Sequence, residues 1–343
     1  MENMEKGPKI SVVGNASFEK KEQAKKEAEQ AFFDHFESLP LRAREQLAKF
    51  EYPKSEKELA LIDFANQETN KLMREAGVET YNISAENYHI IPPELYKEII
   101  GSGNHSAGAF FVKQGVVFNA EEYRDNLAHF GSVAFHETLH LKGYYSIEVE
   151  EKNEKVEKTS YREGMTVGSS QRHDHYGGQH RHFVGLHEAI VSAQEKIFLS
   201  KLFETPEMKE EKEWMMSDEA KKFKKELAKK KNISEDEIIY VNKKCEGGWF
   251  FSYLPQRQTL DYVCGEIQKE FPNQYQSADD VSKEFLKSHF TGHLLPIARL
   301  VEKTFGEGSF RLLGNMTDKD ESGILHFESL KKARARQVKN KAK

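Results

Sequence analysis

The sequence has little cysteine and no long apolar run. Its two cysteines, Cys245 and Cys264, have a spacing that matches neither a metal-binding nor a redox motif. We therefore expect two reduced thiols rather than a disulfide between them. No segment approaches the roughly 18 consecutive apolar residues of a transmembrane helix. Residues 1–10 are charged and lack the apolar core of a signal peptide, so the expected location is the cytoplasm.

A strong excess of one charge is also missing. The formal net charge is −5 over 343 residues, with 38% apolar and 31% charged residues. This composition is typical of a hydrophilic globular protein of one or two domains. The segment 331–343 carries seven Lys or Arg and no acid, but it lacks the interleaved aromatic residues of a nucleic-acid site. We expect a disordered tail there, and neither a membrane nor a nucleic acid as partner.

The most informative segment is His136-Glu137-Thr138-Leu139-His140. On a helix, His136 and His140 lie one turn apart on the same face, so both imidazoles can bind one metal ion. Glu137 lies beside the first histidine, where its carboxylate can take a proton from a metal-bound water. This H-E-x-x-H arrangement is typical of zinc metallopeptidases.

The flanking pattern predicts that the motif lies near the end of a long buried helix. Asn119 and Glu122 match a capping box, directly after the apolar run 116–118. Residues suited to burial then recur in steps of four and three: Tyr123, Leu127, Phe130, Ala134, Thr138 and Leu141. Gly143 is expected to end the helix. A chance motif on a solvated face would lack this apolar flank.

A catalytic zinc ion commonly has three protein ligands, so a third is needed. The metzincin pattern continues with glycine and then a third histidine, but the required position holds Ser146. The metzincin form is therefore excluded. A glutamate on a later helix is the alternative, as in the gluzincin class, and Glu188 begins the predicted amphipathic helix 185–203. Glu195 and His187 are the other candidates on that helix.

Residues 136–140 and 185–192 together resemble the gluzincin metallopeptidases, in particular the compact soluble minigluzincins. That group pairs H-E-x-x-H with a later helix carrying L-N-E-(A/G), and a β-hairpin connects the two. The run from Phe290 to Phe310 is similar to the helical lower subdomain of such proteins. The resemblance covers residues 80–315 and is specific at the two metal segments.

The resemblance implies one catalytic zinc ion bound by His136, His140 and Glu188, with Glu137 as the general base. It also implies a zincin-like fold and a peptide or protein substrate. Three positions depart from the group's pattern. His187 replaces the usual Asn, Ser192 stands where an acidic partner is common, and Lys142 stands where an apolar residue is preferred.

The expected function is that of a zinc metallopeptidase that hydrolyses peptide bonds. Tyr253, Tyr176 and His187 are the candidates for stabilising the oxyanion, and a peptide would pair with an edge strand at 109–112. The resemblance suggests that residues 1–75 could lie in the cleft and impose latency; the other interpretation is a helical extension that only covers the core. The alternatives to a peptidase are a catalytically silent zinc-binding protein acting through protein interaction and a helical binding protein with a coincidental motif.

The overall pattern predicts an α+β, zincin-like fold, with a small mixed sheet packed on the motif helix. We divide the chain into an N-terminal helical extension (1–76), a metal-site subdomain (77–205), a mostly helical C-terminal subdomain (206–330) and the basic tail (331–343). Helical periodicity covers 16–50, 55–76, 185–203, 260–271, 277–289 and 294–305, with charged helical segments across 207–237. Strands are expected at 88–91, 109–112, 116–118 and 161–167, and a solvated loop or short helix at 148–158.

A histidine-rich segment, 173–182, is nearly symmetric about Gly177–Gly178. A Gly-Gly pair suits a two-residue hairpin turn, which would pair His173 with His182. Four histidines would then share one face of the hairpin: His173, His175, His180 and His182. A solvated hairpin beside the cleft is one interpretation, and a second metal site or a substrate contact is the other.

Overall fold

A computed structural model describes residues 7–34, 39, 41–100, 108–110, 115–123, 126–153, 155–173 and 179–341. Their architecture is α+β, as the sequence predicts, with helices predominating over three small sheets. Within these ranges no helix combines the length and the apolar character needed to cross a bilayer. Cys245 and Cys264 are both free thiols, as expected.

The helices are arranged around the motif helix, Leu127–Leu141, which carries the H-E-x-x-H segment. It packs against the Glu56–Glu75 helix and against the Glu188 helix, Val184–Leu202. Further described helices are Phe18–Phe33, Leu41–Phe50, Pro93–Ile100, Ala120–Tyr123, Lys209–Met216, Asp218–Lys231, Leu254–Glu270, Ala278–Thr291, Leu295–Phe305, Ser309–Gly314 and Asp320–Lys341.

The motif helix starts later than the sequence pattern predicts. The chain first forms the short helix Ala120–Tyr123, and the motif helix then begins after Asn126. The Asn126 side chain accepts a hydrogen bond from the His129 amide at 3.1 Å. The expectation of one helix starting at Asn119 is wrong, because Asn126 supplies a second cap inside the periodic stretch.

The buried face of the motif helix agrees with the predicted stripe. Leu127 is partly buried, and the other positions are at most 1% exposed: Tyr123, Phe130, Ala134, Thr138 and Leu141. The apolar members of this stripe lie in or against one large hydrophobic cluster that also contains Leu61, Ile190 and Phe285. Residues from all three predicted regions before the tail therefore share the core that surrounds the motif.

Four strands of the five-stranded sheet follow the motif helix in the chain, and the fifth precedes it. The order of this sheet is β1 (Ile10–Val13), β5 (Tyr145–Lys152), β6 (Lys155–Glu163), β7 (Thr166–His173) and β8 (Gln179–His182), with β1 parallel to β5 and the other pairs antiparallel. A three-stranded sheet has the order β2 (Tyr88–Ile91), β4 (Gly115–Asn119) and β3 (Gly108–Phe110). A hairpin of β9 (Ile238–Val241) and β10 (Gly248–Phe250) completes the described strands.

Residues 148–158 lie in the β5–β6 hairpin, so the predicted solvated loop or short helix is wrong. Tyr145, Ile147 and Val149 alternate with polar residues and lie with Ile10 in one buried cluster. Ser146, Glu148 and Glu150, on the opposite face, are at most 7% exposed, so both faces of the strand are covered over residues 145–150. Because charged residues follow the apolar ones so closely, the two-residue period is hard to detect in the sequence.

Two predicted continuous elements are interrupted. The strand expected at 161–167 is divided by a turn at Gly164–Met165, which joins β6 to β7. The helix expected over 16–50 is divided into Phe18–Phe33 and Leu41–Phe50, and residues 35–38 lie outside the described ranges.

The basic tail is helical rather than disordered over its described part, so that expectation is wrong. The Asp320–Lys341 helix continues through it. Leu330 is 0% exposed, and the Arg334 guanidinium binds Glu266 at 2.9 Å and Glu270 at 3.0 Å. These tertiary contacts outweigh the local excess of positive charge.

Candidate metal centre

The motif helix brings its two histidines together where the core meets solvent. His136 and His140 are one turn apart, and their Nε2 atoms lie 3.0 Å from each other. The side chains are 12% and 6% exposed, respectively. The rings are therefore held by packing while the site stays accessible from solvent.

Glu188, near the start of the Val184–Leu202 helix, lies beside the two histidines. His136, His140 and Glu188 are called the cluster below. The Glu188 Oε2 atom lies 3.5 Å from His136 Nε2 and 3.3 Å from His140 Nε2. Tetrahedral zinc with bonds near 2.0–2.2 Å separates its N and O ligands by about 3.3–3.6 Å. The triangle formed by the three atoms is close to this size, so two imidazoles and one carboxylate fit such an ion. The structure thus brings together the three residues that the sequence predicted as ligands.

The charge distribution of the cluster favours a cation. Burial opposes protonation of His136, but the carboxylates of Glu195 and Glu188 outweigh it and raise the pKa of His136 well above its usual value. Burial also opposes ionisation of Glu188, yet His140 and His136 hold the pKa of its carboxyl well below its usual range. The carboxylates create a negative potential at the imidazoles, which would likewise stabilise a bound metal ion.

Glu137 is buried next to these groups, with 9% of its surface exposed. Burial raises the pKa of its carboxyl, while His136 and His140 oppose that rise. A carboxylate with a raised pKa is a stronger base than a solvated one. This environment suits a residue that takes a proton near neutral pH.

Glu195 orients His136 from the side remote from the cluster. Its Oε2 atom lies 2.9 Å from His136 Nδ1, and Ser132 Oγ donates to its Oε1 atom at 2.7 Å. Because His136 faces Glu188 through Nε2, its Nδ1–H can donate to Glu195, which sets the tautomer that metal binding needs. Glu195 therefore lies outside the group of His136, His140 and Glu188 that could hold a metal ion, and contacts His136 from behind. In the minigluzincin pattern the acidic partner is common at the position of Ser192, whereas here Glu195 supplies it about one turn later.

His187 plays the corresponding part for His140. Its Nε2 atom lies 3.0 Å from His140 Nδ1, and its Nδ1 atom lies 2.9 Å from Thr166 Oγ1. If His140 binds an ion through Nε2, its Nδ1–H donates to His187, which in turn donates to Thr166. Burial, with the neighbouring His140 and His289, keeps the pKa of His187 well below its usual value. The neutral imidazole of His187 can thus take the place of the Asn that the minigluzincin pattern has at this position.

Gly164 leaves room for the rings of His187 and His289. Its φ is +55°, and a Cβ atom would lie 2.5 Å from His289 Nδ1 and 2.9 Å from His187 Nε2. His289 in turn places its Nε2 atom 3.0 Å from the Leu139 carbonyl oxygen of the motif helix. The β6–β7 turn therefore packs directly on the residues that hold His140.

The N-terminus of the Glu188 helix is anchored by a segment much later in the chain. The Phe183 amide donates to the Gly314 carbonyl at 2.6 Å, and the Gly185 amide donates to the Met316 carbonyl at 2.9 Å. A Cβ atom on Gly185 would lie 2.3 Å from the Thr317 carbonyl oxygen. This close approach requires glycine and positions Glu188. No local sequence signal indicates the contact.

Lys142 is accommodated at the end of the motif helix despite being 2% exposed. Its Nζ atom donates to Asn66 O at 3.2 Å, Thr69 Oγ1 at 2.9 Å and Asn70 Oδ1 at 2.9 Å. Burial holds the pKa of this amine well below its usual value. Lys142 thus joins the motif helix to the Glu56–Glu75 helix, a contact that an apolar residue could not make.

Of the three oxyanion candidates, Tyr253 and His187 are described, and both lie beside the cluster. The ring centroid of Tyr253 is 6.4 Å from that of His136. Burial, with the charges of Glu188 and Glu137, raises the pKa of its phenol, which therefore remains a hydrogen-bond donor. Both ring nitrogens of His187 are engaged away from the cleft. Tyr176 lies outside the described residues.

β7 and β8, which flank residues 174–178, pair antiparallel, but the register predicted for the histidine-rich segment is wrong. His182 pairs with Val167 rather than with His173, and His173 pairs with Gln179. Residues 174–178, including His175 and the two glycines, lie outside the described ranges. The two strands are therefore aligned by the pairing of β8 with the earlier part of β7, and not by the symmetry of the histidine-rich segment.

The chain was compared with protein-family models, curated proteins and solved structures, and none of them matches it.

Proposed function

We propose that the protein is a zinc-dependent metallopeptidase of the gluzincin type, with a zincin-like fold. The observation that carries this proposal is the triangle of His136 Nε2, His140 Nε2 and Glu188 Oε2 with Glu137 buried beside it. Two imidazoles and one carboxylate form the protein ligand set of one class of catalytic zinc sites. Bound zinc would lower the pKa of water to about 7 and polarise a substrate carbonyl.

Glu137 is the proposed general base. Its carboxylate would take a proton from the attacking water and later deliver it to the leaving amine. Tyr253 would donate a hydrogen bond to the oxygen that gains negative charge during attack. Glu195 and His187 would keep the two imidazoles in their binding orientation and tautomer, which strengthens metal binding.

The proposed substrate is a peptide in extended conformation. β3 is an edge strand of the three-stranded sheet and packs against the motif helix. A free strand edge offers backbone donors and acceptors in the spacing that a peptide can pair with. The strand is described at Gly108–Phe110, and the remainder of the predicted stretch 109–112 lies outside the described ranges.

The test separates a peptidase from a silent zinc-binding protein. Glu137→Gln keeps the size of the side chain but removes the base, so peptide cleavage should fall by about 10²–10⁴-fold. Zinc content, measured by elemental analysis, should remain at the wild-type level because the three ligands are intact. Glu121→Gln, at an exposed position, should change neither. Undiminished cleavage in Glu137→Gln, or wild-type protein without zinc, would contradict the proposal.

A further inference from the structure

The segment that carries Tyr253 has a strained backbone. Tyr253 has φ +61° and ψ +35°, a left-handed conformation that residues with a Cβ rarely adopt. It lies between β10 and the Leu254–Glu270 helix, and its carbonyl oxygen accepts a hydrogen bond at 2.9 Å from the Arg257 amide in the first turn of that helix. Such strain persists where surrounding contacts over-determine the backbone.

Two buried side chains converge on the carbonyl just before Tyr253. Ser192 Oγ donates to Ser252 O at 3.1 Å, and Arg257 Nε donates to the same oxygen at 3.1 Å. Ser192 is 0% exposed and Arg257 is 5% exposed, so water has little access to compete. Two donors therefore hold the peptide plane that leads into the strained residue.

Arg257 is itself held by a buried ion pair. Its two Nη atoms donate to the two carboxylate oxygens of Glu237, which is a bidentate arrangement. Lys196 Nζ adds another donor to Glu237 at 2.6 Å. Ser192 and Lys196 both belong to the Glu188 helix. This helix thus supports Ser252 directly through Ser192, and indirectly through Lys196, Glu237 and Arg257.

We propose that Ser192 and Arg257 are positioning residues that hold the Tyr253 hydroxyl where the oxyanion forms; this inference rests on the proposed peptidase function. Both act on the Ser252 carbonyl rather than on the metal cluster. Glu188 belongs to the same helix as Ser192, so one helix positions both the Tyr253 hydroxyl and a proposed metal ligand. If the hydroxyl moved away from this position, it could no longer donate a hydrogen bond to the substrate oxygen that gains negative charge during attack.

A double-mutant cycle on peptide cleavage tests the proposal. Tyr253→Phe should lower kcat about 100-fold and Ser192→Ala about tenfold, with KM changed less than about twofold in each. In the Tyr253→Phe background, Ser192→Ala should have no further effect, because the hydroxyl it positions is gone. Ser200→Ala, a serine of the same helix that donates to Ile197 O, should leave kcat unchanged. Equal tenfold losses in both backgrounds would overturn the proposal.

A second readout does not require activity. With 3-fluorotyrosine at position 253, the fluorine resonance should be single and narrow in the wild type and broadened or split in Ser192→Ala and Arg257→Met. Arg334→Met removes a guanidinium paired with Glu266 and Glu270 and should leave the resonance unchanged. An unaltered resonance in both Ser192→Ala and Arg257→Met would overturn the positioning role. Absence of cleavage by the wild type would overturn the proposed function alone.

Discussion

At the residue scale, each histidine of the cluster is held at its second ring nitrogen by a different kind of group. His136 donates to a carboxylate, Glu195, which also accepts from Ser132. His140 contacts a neutral imidazole, His187, which is followed by Thr166. The ionised partner strengthens the basicity of its histidine more than the neutral one does. The two ligands should therefore respond differently to loss of their partners.

Glu195→Gln should lower zinc affinity about 10- to 100-fold while leaving the fold intact, because the amide has the same size but no charge. Competition with a chelator of known affinity measures this change. Glu204→Gln, at an exposed glutamate paired with Lys212, is the matched control and should leave zinc affinity unchanged. Equal affinities for Glu195→Gln and the control would show that Glu195 does not support the site.

The proximity of His136, His140 and Glu188 could be predicted from the sequence, but the residues that contact them could not. His136, Glu137 and His140 share one helical turn, so their spacing is local, and Glu188 follows from the resemblance. Glu195 was a candidate ligand, and Ser192 was noted as the position where the group commonly has an acidic partner, because helical spacing alone does not tell which turn faces the motif helix. The packing of two helices decides that assignment.

At the element scale, the β6–β7 turn links the five-stranded sheet to the cluster of His136, His140 and Glu188. Gly164 places this turn against His187 and His289, closer than any residue with a Cβ could come. Gly77 offers a matched comparison, since its φ is +76° but a Cβ atom there would meet nothing within 4 Å. The two glycines therefore separate the cost of backbone strain from the cost of displaced histidines.

Gly77→Ala should destabilise the protein by about 1 kcal/mol, the cost of a left-handed alanine. Gly164→Ala should lose about 1–3 kcal/mol more, because its Cβ overlaps buried rings. It should also weaken zinc binding, since His187 must shift away from His140. Urea denaturation and chelator competition measure the two effects. Equal losses of stability with unchanged zinc affinity would mean that the turn does not position the cluster.

Element boundaries were predictable where the signal is local. Ser55 and Glu58 form the expected capping box at the start of the Glu56–Glu75 helix. The β5–β6 hairpin was missed because its apolar side chains are few among many charges, some of which are themselves buried. The β7–β8 register was also missed, since the pairing of His182 with Val167 depends on the preceding strands rather than on the histidine pattern.

At the scale of the whole molecule, His136, His140 and Glu188 lie beside one large hydrophobic core. The motif helix, the Glu56–Glu75 helix and the C-terminal helices contribute to the same buried cluster. The segment 314–317 also anchors the Glu188 helix. Contacts between residues so distant in sequence leave no local pattern, which is why the sequence placed these parts in separate regions. They also imply that an ion bound at the cluster stabilises the entire fold.

Zinc should therefore raise the free energy of unfolding of the whole protein. With free zinc at 100 times its Kd, the gain should be about 2.7 kcal/mol if the unfolded chain does not bind the ion. Urea denaturation at fixed free zinc measures this gain, and chelation should remove it.

Two variants locate the source of that stabilisation. His140→Ala removes a cluster ligand and should abolish the gain, because the remaining two donors bind zinc weakly. The double variant His175→Ala/His180→Ala alters only the histidine-rich hairpin, so the gain and a stoichiometry of one zinc per chain should persist. If His140→Ala kept the gain and the hairpin variant lost it, the ion that stabilises the fold would bind at the hairpin instead of at the motif helix.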